Sequence, residues 1–562
     1  IKDAVILAAL SITAALMLSM YENASFTKLI LSASIITNFF FIAITGTFLG
    51  WVLVVAGIAS VVFFADRELL ANKKFYLITQ VALMAIILGA TLLPTTRSIM
   101  IDKDYVSESL LPAKESWYIA TSTIQDYPIL ATGPSTFHLN YTRYKPLSTN
   151  NTDLWDKKFD KPYNELFNII GTIGIVGTVA TLIFASKVLK FSYSSKQIKG
   201  DNGLANVASA LTVVIMISYL FTYASVLSVF LLFFFLSILI GAHAVGENQT
   251  KYVKPLVIES TNLSSIATDN GSVIASQYTK YVLCVPVFLV AGYLGFISFK
   301  NYAGEYFMRR SIAAIIKNDS NGTYNFQRLA IKYNPNRDTY YDSFARTNIS
   351  LASALASKQS LTDADKQTIQ TLVTQAIKNT RLATEVVGPL NVSNWETRAL
   401  IYKNLINVAQ NASDWAINSY NTAIQLDPTN PKLRLDLGGI YFAKGDFLSA
   451  ANQFRQATSL KQDYANAHYN FALALVKLKE YDQAKKEFDI AKLLVPQNSE
   501  DRKLIEKEIA SLPQPTVAGA ATETKPTVEE LTGVQEDVKQ EPLINTGEQN
   551  TEQNLNTKVL PQ

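Results

Sequence analysis

Long apolar runs alternate with short polar connections over the first 300 residues of the chain. An apolar helix of about 20 residues is long enough to cross the hydrocarbon core of a bilayer. The pattern therefore predicts a polytopic transmembrane helical bundle over 1–300, which we expect to be N-terminally incomplete because the chain begins without Met. The eight predicted spans are 4–20, 29–45, 47–65, 75–93, 166–186, 205–222, 224–244 and 280–298.

The cations between the spans predict the orientation of the bundle. Lysine and arginine are enriched in short cytoplasmic loops, and the connections 66–74, 187–204 and 245–280 carry them on one side of an eight-span arrangement. This side is predicted to be cytoplasmic, in the cytoplasmic (inner) membrane. The large loop 94–165 and all residues after 299 are then extracytoplasmic.

A 34-residue repeat marks the chain beyond the last predicted span. Small residues and aromatic residues recur at this interval in three columns, and a helical pair needs both types where its helices meet. The pattern resembles the tetratricopeptide repeat and predicts an all-α solenoid. The three columns are Ala416, Ala450 and Ala484; Tyr420, Phe454 and Phe488; and Ala423, Ala457 and Ala491.

The boundaries follow from this pattern and from composition. Residues 413–512 are assigned to the tetratricopeptide repeats, and 301–412 to degenerate helical repeats of the same kind. Residues 513–562 are acidic and nearly without aromatic residues, so we expect a disordered tail. The array either binds a partner, which could be a protein or a glycolipid acceptor, or acts as a spacer.

The net charge and the small number of cysteine and histidine residues argue against nucleic-acid binding and against a metal site. A net charge of +4, spread along the chain, gives no indication of nucleic-acid binding. The loop 94–165 contains no Cys/His cluster and one histidine, His138. We therefore expect no metal and no cofactor.

Ordered motifs fill the second half of this loop. They are a Trp at 117, Asp-x-Pro at 126–128, Gly-Pro-x-x-Phe at 133–137, Tyr-x-x-Tyr-Lys-Pro at 141–146, and Tyr-Asn at 163–164 shortly before Gly-x-x-Gly at 174–177. Their order and spacing resemble the O-antigen ligase family, in the branch with C-terminal tetratricopeptide repeats. The resemblance covers 1–300, and its specific part covers 111–177. It implies transfer of a glycan from a polyprenyl diphosphate carrier to an acceptor hydroxyl outside the membrane, without a metal.

The resemblance also implies which residues act. A diphosphate leaving group needs cations, for which Arg143, Lys145 and Lys114 are the candidates. The acceptor needs a general base, and the family's histidine is replaced here by Tyr163, whose phenol is a poor base at neutral pH. Glu165 is the proposed substitute; its alternative role is a charge at a helix N-terminus.

Other residues have weaker assignments. Asn164 is a candidate substrate-binding residue or a helix cap, and His138, Asp156 and Asp160 are further candidates for acid–base work. An early arginine of many family members is replaced by Phe48. The aromatic residues could line a sugar site or form an interfacial belt; these are Trp117, Tyr141 and Trp155.

The leading hypothesis is thus an O-antigen ligase-like glycosyltransferase that binds a polyprenyl-diphosphate-linked glycan and the lipid bilayer. A polysaccharide polymerase and a protein O-oligosaccharyltransferase share this layout and differ in the acceptor. The remaining alternative is a catalytically silent membrane-anchored scaffold, favoured by the replacements at Tyr163 and Phe48.

Overall fold

The computed structural model describes residues 1–92, 110–197, 203–245, 274–406 and 408–513. Helices and turns account for the regular structure of these ranges, which contain no β-strand. The predicted all-α fold is confirmed. The helices up to Ser511 form one compact unit, while the predicted tail 513–562 and the first part of the predicted loop, 94–109, lie almost entirely outside the described residues.

Each of the eight predicted spans coincides with an apolar helix in the described part of the chain. Six are long and apolar enough to cross a membrane, whereas α3 and α8 have 17 and 16 residues. These helices are α1 (Lys2–Tyr21), α2 (Ser25–Thr45), α3 (Phe48–Phe64), α4 (Arg67–Leu92), α7 (Glu165–Ser194), α8 (Gly203–Ser218), α9 (Val226–Val245) and α10 (Ile274–Ile316).

Helix α1 lies at the centre of the bundle. Two thirds of the residues in its apolar segment are buried, because α1 packs against α2, α3 and α8. The shared core includes Met17 of α1, Ile42 of α2 and Leu53 of α3, all less than 1% exposed. The apolar segment of α10 is instead exposed, because the described part of the protein does not cover it.

The described part of the large loop is a folded subdomain. Residues 110–164, which we call the loop subdomain, contain α5 (Ala113–Asp126), α6 (Phe137–Tyr144) and a 3₁₀ turn (Leu147–Asn151). Its core joins Ile119 of α5 to Phe137 and Tyr141 of α6. The loop subdomain is therefore a small packed unit.

A break in α7 attaches this subdomain to the bundle. Gly174 has φ 70° and ψ −164°, a region that favours glycine. The segment 128–131 enters the break, where the carbonyl of Pro128 accepts from Ile175 N (3.1 Å) and that of Ile129 accepts from Val176 N (3.2 Å). The Gly-x-x-Gly motif thus binds the Asp-x-Pro motif through the backbone.

Antiparallel helices form the repeat array after residue 317. The helix α10 ends at Ile316, so it enters the range assigned from sequence to the repeats. The remaining helices are α11 (Ser320–Tyr333), α12 (Asp338–Ala356), α13 (Asp363–Arg381), α14 (Val392–Asn404), α15 (Ala412–Leu426), α16 (Pro431–Ala443), α17 (Phe447–Leu460), α18 (Ala465–Lys477), α19 (Tyr481–Leu494) and α20 (Glu500–Ser511).

The columns of the repeat form the core of this array. All nine column residues are at most 3% exposed. The small residues allow close approach: a Cβ atom at Gly438 would lie 2.5 Å from the ring of Phe454. The period therefore predicts the packing correctly.

Candidate functional site

A cavity of about 530 Å³ lies where the loop subdomain, the start of α7, the turn after α8 and the repeat array meet. Polar and charged side chains from all of these parts line it. It is the strongest candidate for a site among the described residues, because three of the sequence-predicted acid–base residues line it: His138, Asp160 and Glu165. The lining side chains used below are His138, Lys158, Asp160, Lys161, Glu165, Arg337, Asp338 and Ser393.

Glu165 is the first residue of α7 and is held in place by two donors. Its Oε2 accepts from the backbone of Ala224 (2.8 Å), and its Oε1 accepts from Asn168 Nδ2 (3.0 Å). Its own backbone N–H reaches the carbonyls of Tyr219 and Thr222. The carboxylate therefore joins α7 to the turn 219–225 and also faces the cavity.

Asn164 caps α7. Its Oδ1 accepts from Phe167 N (2.9 Å), and its Nδ2 donates to the carbonyl of Leu220 (2.8 Å). These bonds satisfy an N–H group that a helix end otherwise leaves unpaired. Asn164 is 6% exposed and is not among the residues that line the cavity.

His138 lies on the cavity wall, and Tyr163 precedes α7 by two residues. No side-chain hydrogen bond to His138 is formed by the described residues. The backbone N–H of the half-buried Tyr163 donates to Ser116 Oγ (2.9 Å), and Tyr163 is not among the cavity-lining residues. Of the two, His138 is the one placed to exchange a proton with a ligand in the cavity.

Three cations line the cavity, and none of them was singled out from the sequence. Lys158 Nζ contacts Glu396 (2.5 Å) and Ser393 (3.0 Å) of the repeat array. Lys161 Nζ lies 4.3 Å from the centre of the Tyr223 ring. Arg337 Nε is 3.8 Å from Glu305, in a pair whose side chains are about half exposed.

The predicted diphosphate ligands lie elsewhere. Arg143 Nη2 is 4.0 Å from Asp126, and its guanidinium lies near the rings of Tyr127 and Tyr144. Lys114 is exposed in the first turn of α5. Neither residue lines the cavity. The structure therefore does not bring Arg143, Lys145 and Lys114 together as one phosphate-binding group.

Lys145 and Tyr141 are buried, which corrects their expected exposure to substrate. Lys145 is 4% exposed, its Nζ donates to the carbonyl of Trp155 (3.2 Å), and burial lowers its pKa, against the nearby charge of Asp427. Tyr141 is 2% exposed, and its hydroxyl donates to the carbonyl of Lys157 (3.0 Å). Both residues stabilise the loop subdomain.

The loop subdomain binds the repeat array through a second contact, which we call the junction and define by 145–155 and the turns 427–430 and 460–464. Asn150 Nδ2 donates to the carbonyls of Thr429 (2.8 Å) and Leu460 (3.0 Å), and the carbonyl of Asn150 accepts from Lys461 Nζ (2.8 Å). Trp155 packs on Tyr464 with ring centres 5.2 Å apart. Trp155 is therefore part of this junction.

Trp117 is the aromatic residue that remains open. It is 50% exposed, and its ring centre lies 5.5 Å from that of Phe167 in the first turns of α7. This position at the end of the bundle is compatible with both predicted roles, a sugar contact and an interfacial anchor. No group of three or more His, Cys, Asp or Glu in the searched ranges could hold a metal ion.

The comparisons with known proteins concern the repeat array. Residues 406–445 and 438–479 match the family model described as TPR repeat. No curated protein matches the chain. The resemblance of 1–300 to the O-antigen ligase family has no counterpart among these matches and stays a prediction.

Several solved structures are similar to part of the chain. A thermophilic TPR protein of Thermus thermophilus is 18% identical, with 37% of this chain and 98% of that chain covered and a TM-score of 0.27. MamA (41-end) from Desulfovibrio magneticus RS-1 is 10% identical, with 35% of this chain and 98% of that chain covered and a TM-score of 0.28. YrrB, a TPR protein with an unusual peptide-binding site, is 14% identical, with 36% of this chain and 90% of that chain covered and a TM-score of 0.27. Together with the buried columns of the repeat, the family match shows that residues 406–479 contain tetratricopeptide repeats.

Proposed function

We propose that this protein is a membrane-anchored scaffold whose tetratricopeptide repeats bind an extended segment of a partner protein. The observation that supports this function is a continuous unburied face on the first helices of successive repeats. Residues spaced by four and three lie on one face of a helix. On α16 this face contains Lys432, Asp436 and Gly439, and one repeat period later the same face of α18 contains Asn466, Asn470 and Leu473.

The faces of α16 and α18 lie on adjacent helices, and α14 borders them. Lys403 of α14 pairs with Asp436 of α16 (3.5 Å), and α16 contacts α18 directly. Lysine, aspartate and asparagine side chains can bond the backbone of an extended peptide, and Gly439 leaves room for it. We call this surface the repeat face.

The apolar helices supply the anchor in this proposal. Six described helices have the length and composition of membrane spans, and Arg67, Lys73 and Lys190 lie near the bundle end opposite to the loop subdomain. By the positive-inside rule, the repeat array lies outside the cytoplasm in this proposal.

A photo-crosslinking experiment tests the scaffold function. A photoreactive amino acid replaces Leu473 on the repeat face of the full-length protein in its membrane, and the matched control replaces Leu493, which is 79% exposed on α19. We expect a discrete crosslinked protein at 473 that disappears when Asn470→Arg is added. Equal crosslinking at 473 and 493, or none at 473, would contradict the proposal.

The cavity supports glycan transfer as a second candidate function. In this reaction an acceptor hydroxyl attacks the anomeric carbon of a sugar on a polyprenyl diphosphate, the bond from that carbon to the diphosphate oxygen breaks, and the diphosphate leaves with the electron pair. His138 or Glu165 would take the hydroxyl proton. The specific observation is that both residues share one cavity with Lys158, Lys161 and Arg337.

Turnover by the purified full-length protein tests this second function. Product formed from a polyprenyl-diphosphate-linked glycan would be compared for wild type, His138→Ala and Glu165→Gln, with Arg143→Ala as a variant outside the cavity. Loss in the first two variants and retention in the third would support transfer at the cavity. Undiminished turnover in both cavity variants would exclude these two bases.

A further inference from the structure

We infer that the repeat array is itself a wall of the binding cavity and that Arg337 binds an anionic group, a phosphate or a carboxylate, of a carbohydrate ligand. This inference shares the cavity with the second candidate function, but it requires binding and no transfer. Its basis is the set of partners that each charged group in the cavity already has.

Two carboxylates of the cavity lining accept hydrogen bonds on both of their oxygens. Asp338 Oδ1 accepts from Thr339 N (2.8 Å), and its Oδ2 accepts from Asn391 Nδ2 (2.7 Å) and Asn394 Nδ2 (3.0 Å). Glu165 has a donor on each oxygen. A carboxylate with donors on both oxygens presents less unsatisfied negative charge to an anion in the cavity.

The three cations of the cavity differ in how fully their charges are already paired. Lys158 is held by a short ion pair with Glu396, and Lys161 lies over an aromatic ring. Arg337 Nε forms an ion pair at 3.8 Å with Glu305, and the described residues offer no hydrogen bond to its Nη1 and Nη2. An exposed ion pair of this kind contributes little stability, so the guanidinium is free to pair with a ligand.

The chain fixes Arg337 at the cavity edge although its side chain is exposed. Asp338 follows it directly and joins the start of α12 to the start of α14 through the two asparagine amides. Gly388 packs beside this group, since a Cβ there would lie 2.4 Å from Asp338 Oδ2. The backbone that carries Arg337 is therefore held by both repeat units.

The remaining lining groups indicate the rest of the ligand. Ser135, Asn168 and Asp160 offer hydroxyl, amide and carboxylate groups that bond sugar hydroxyls, and Phe159 offers aromatic surface. A planar guanidinium forms two parallel bonds to one phosphate or carboxylate. The ligand that matches this combination is an acidic glycan or a glycosyl diphosphate.

Binding by the full-length protein in detergent tests the inference. The probes are a galacturonate oligomer, a polyprenyl diphosphate and a neutral glucose oligomer of equal length, titrated against wild type, Arg337→Gln and Arg337→Lys. The matched control is Arg328→Gln, an exposed arginine of α11 outside the cavity lining. We expect Arg337→Gln to weaken an anionic probe at least about tenfold, Arg337→Lys to restore part of it, and Arg328→Gln to leave it unchanged.

The outcomes separate the two sources of the anion and the two functions. A loss limited to the galacturonate oligomer identifies an acidic glycan, and a loss limited to the polyprenyl diphosphate identifies the carrier. Equal affinities of wild type and Arg337→Gln for both anionic probes, or no binding of either probe by wild type, overturns the inference. Binding that depends on Arg337 without turnover leaves the inference standing and removes glycan transfer.

Discussion

The side chain of Asn150 allows a direct test of whether the loop subdomain and the repeat array form one rigid structure. Asn150 is fully buried in the junction, where its Nδ2 donates to the carbonyls of Thr429 and Leu460. Leu460 ends α17, so its carbonyl has no donor within the helix. Asn150→Ala removes both donors and leaves the two carbonyls without their partner.

The magnitude follows from these contacts. Each buried hydrogen bond contributes about 0.5–1.5 kcal/mol net, and an acceptor left unpaired costs about 1–3 kcal/mol. The Oδ1 atom of Asn150 has no partner among the described residues, so its removal offsets part of this loss. We therefore expect the junction to lose roughly 2–3 kcal/mol, which corresponds to roughly 30- to 150-fold more frequent local opening.

Hydrogen–deuterium exchange of the full-length protein measures this opening. Peptides that cover 145–155 and 427–430 should exchange faster by that factor in Asn150→Ala, while peptides of the bundle remain unchanged. Asn151→Ala is the matched control, because the neighbouring asparagine is exposed and exposed substitutions change stability by less than about 0.5 kcal/mol. Wild-type exchange in Asn150→Ala would refute the assignment of the junction as a rigid contact.

Three further predictions concern stability, each measured as thermal unfolding of the full-length protein. Gly174→Ala should destabilise the protein by about 2 kcal/mol or more, since a Cβ atom there would lie 2.6 Å from a backbone carbonyl oxygen. Gly292→Ala should leave the stability unchanged, because a Cβ atom there would have no atom within 4 Å. Equal melting temperatures of the two variants would contradict this prediction. Phe454→Ala should cost about 3–5 kcal/mol, and Leu448→Ala, 64% exposed on the same helix, far less; a small loss at 454 would count against the repeat core. Burial lowers the pKa of His468, but hydrogen bonds to a carboxylate and a carbonyl raise it overall. Protonated His468 should therefore stabilise the fold below about pH 6.5, and this stabilisation should be lost as the pH rises through the folded pKa. An identical pH dependence of the melting temperature in His468→Gln would refute this prediction.

The packing of the repeats could be predicted from sequence because the same contact is encoded three times. Ala450 and Phe454 have counterparts one repeat period before and after them, and each set is buried. A single alanine or phenylalanine would give no such information. The apolar helices could be predicted because uncharged apolar runs of about 20 residues are compatible with few structures other than a helix.

Several motifs of the loop meet in the structure, although the sequence did not show the role of each residue. The segments around Pro128, Gly133 and Gly174 do meet: Gly133 N donates to the carbonyl of Thr172 (2.8 Å), beside the break in α7. Gly171 allows close packing of α7 on α5, since a Cβ atom there would lie 3.2 Å from Ala120 Cα, whereas Gly174 interrupts the helix. Sequence does not show which partner a backbone group will take.

The same limitation applies to the charged residues. Lys145 lies close to Arg143 in the sequence, but its environment is set by Trp155 and by Asp427, which belongs to the distant repeat array. Arg337 lies in the degenerate repeats, where the sequence offered no motif. Its position in the cavity depends on how the array docks on the loop subdomain, which is a property of the tertiary structure alone.

The docking has a consequence for both candidate functions. The array contacts the loop subdomain at the cavity, through Lys158 and Glu396, and again at the junction, through Asn150 and Lys461. Two separate contacts on one body restrict rotation more than either contact does alone. A partner on the repeat face would therefore be held in a fixed orientation relative to the cavity. A flexible tether would make the scaffold and the cavity independent, whereas this arrangement couples them: a change that opens the junction should alter both partner crosslinking at Leu473 and ligand affinity at Arg337.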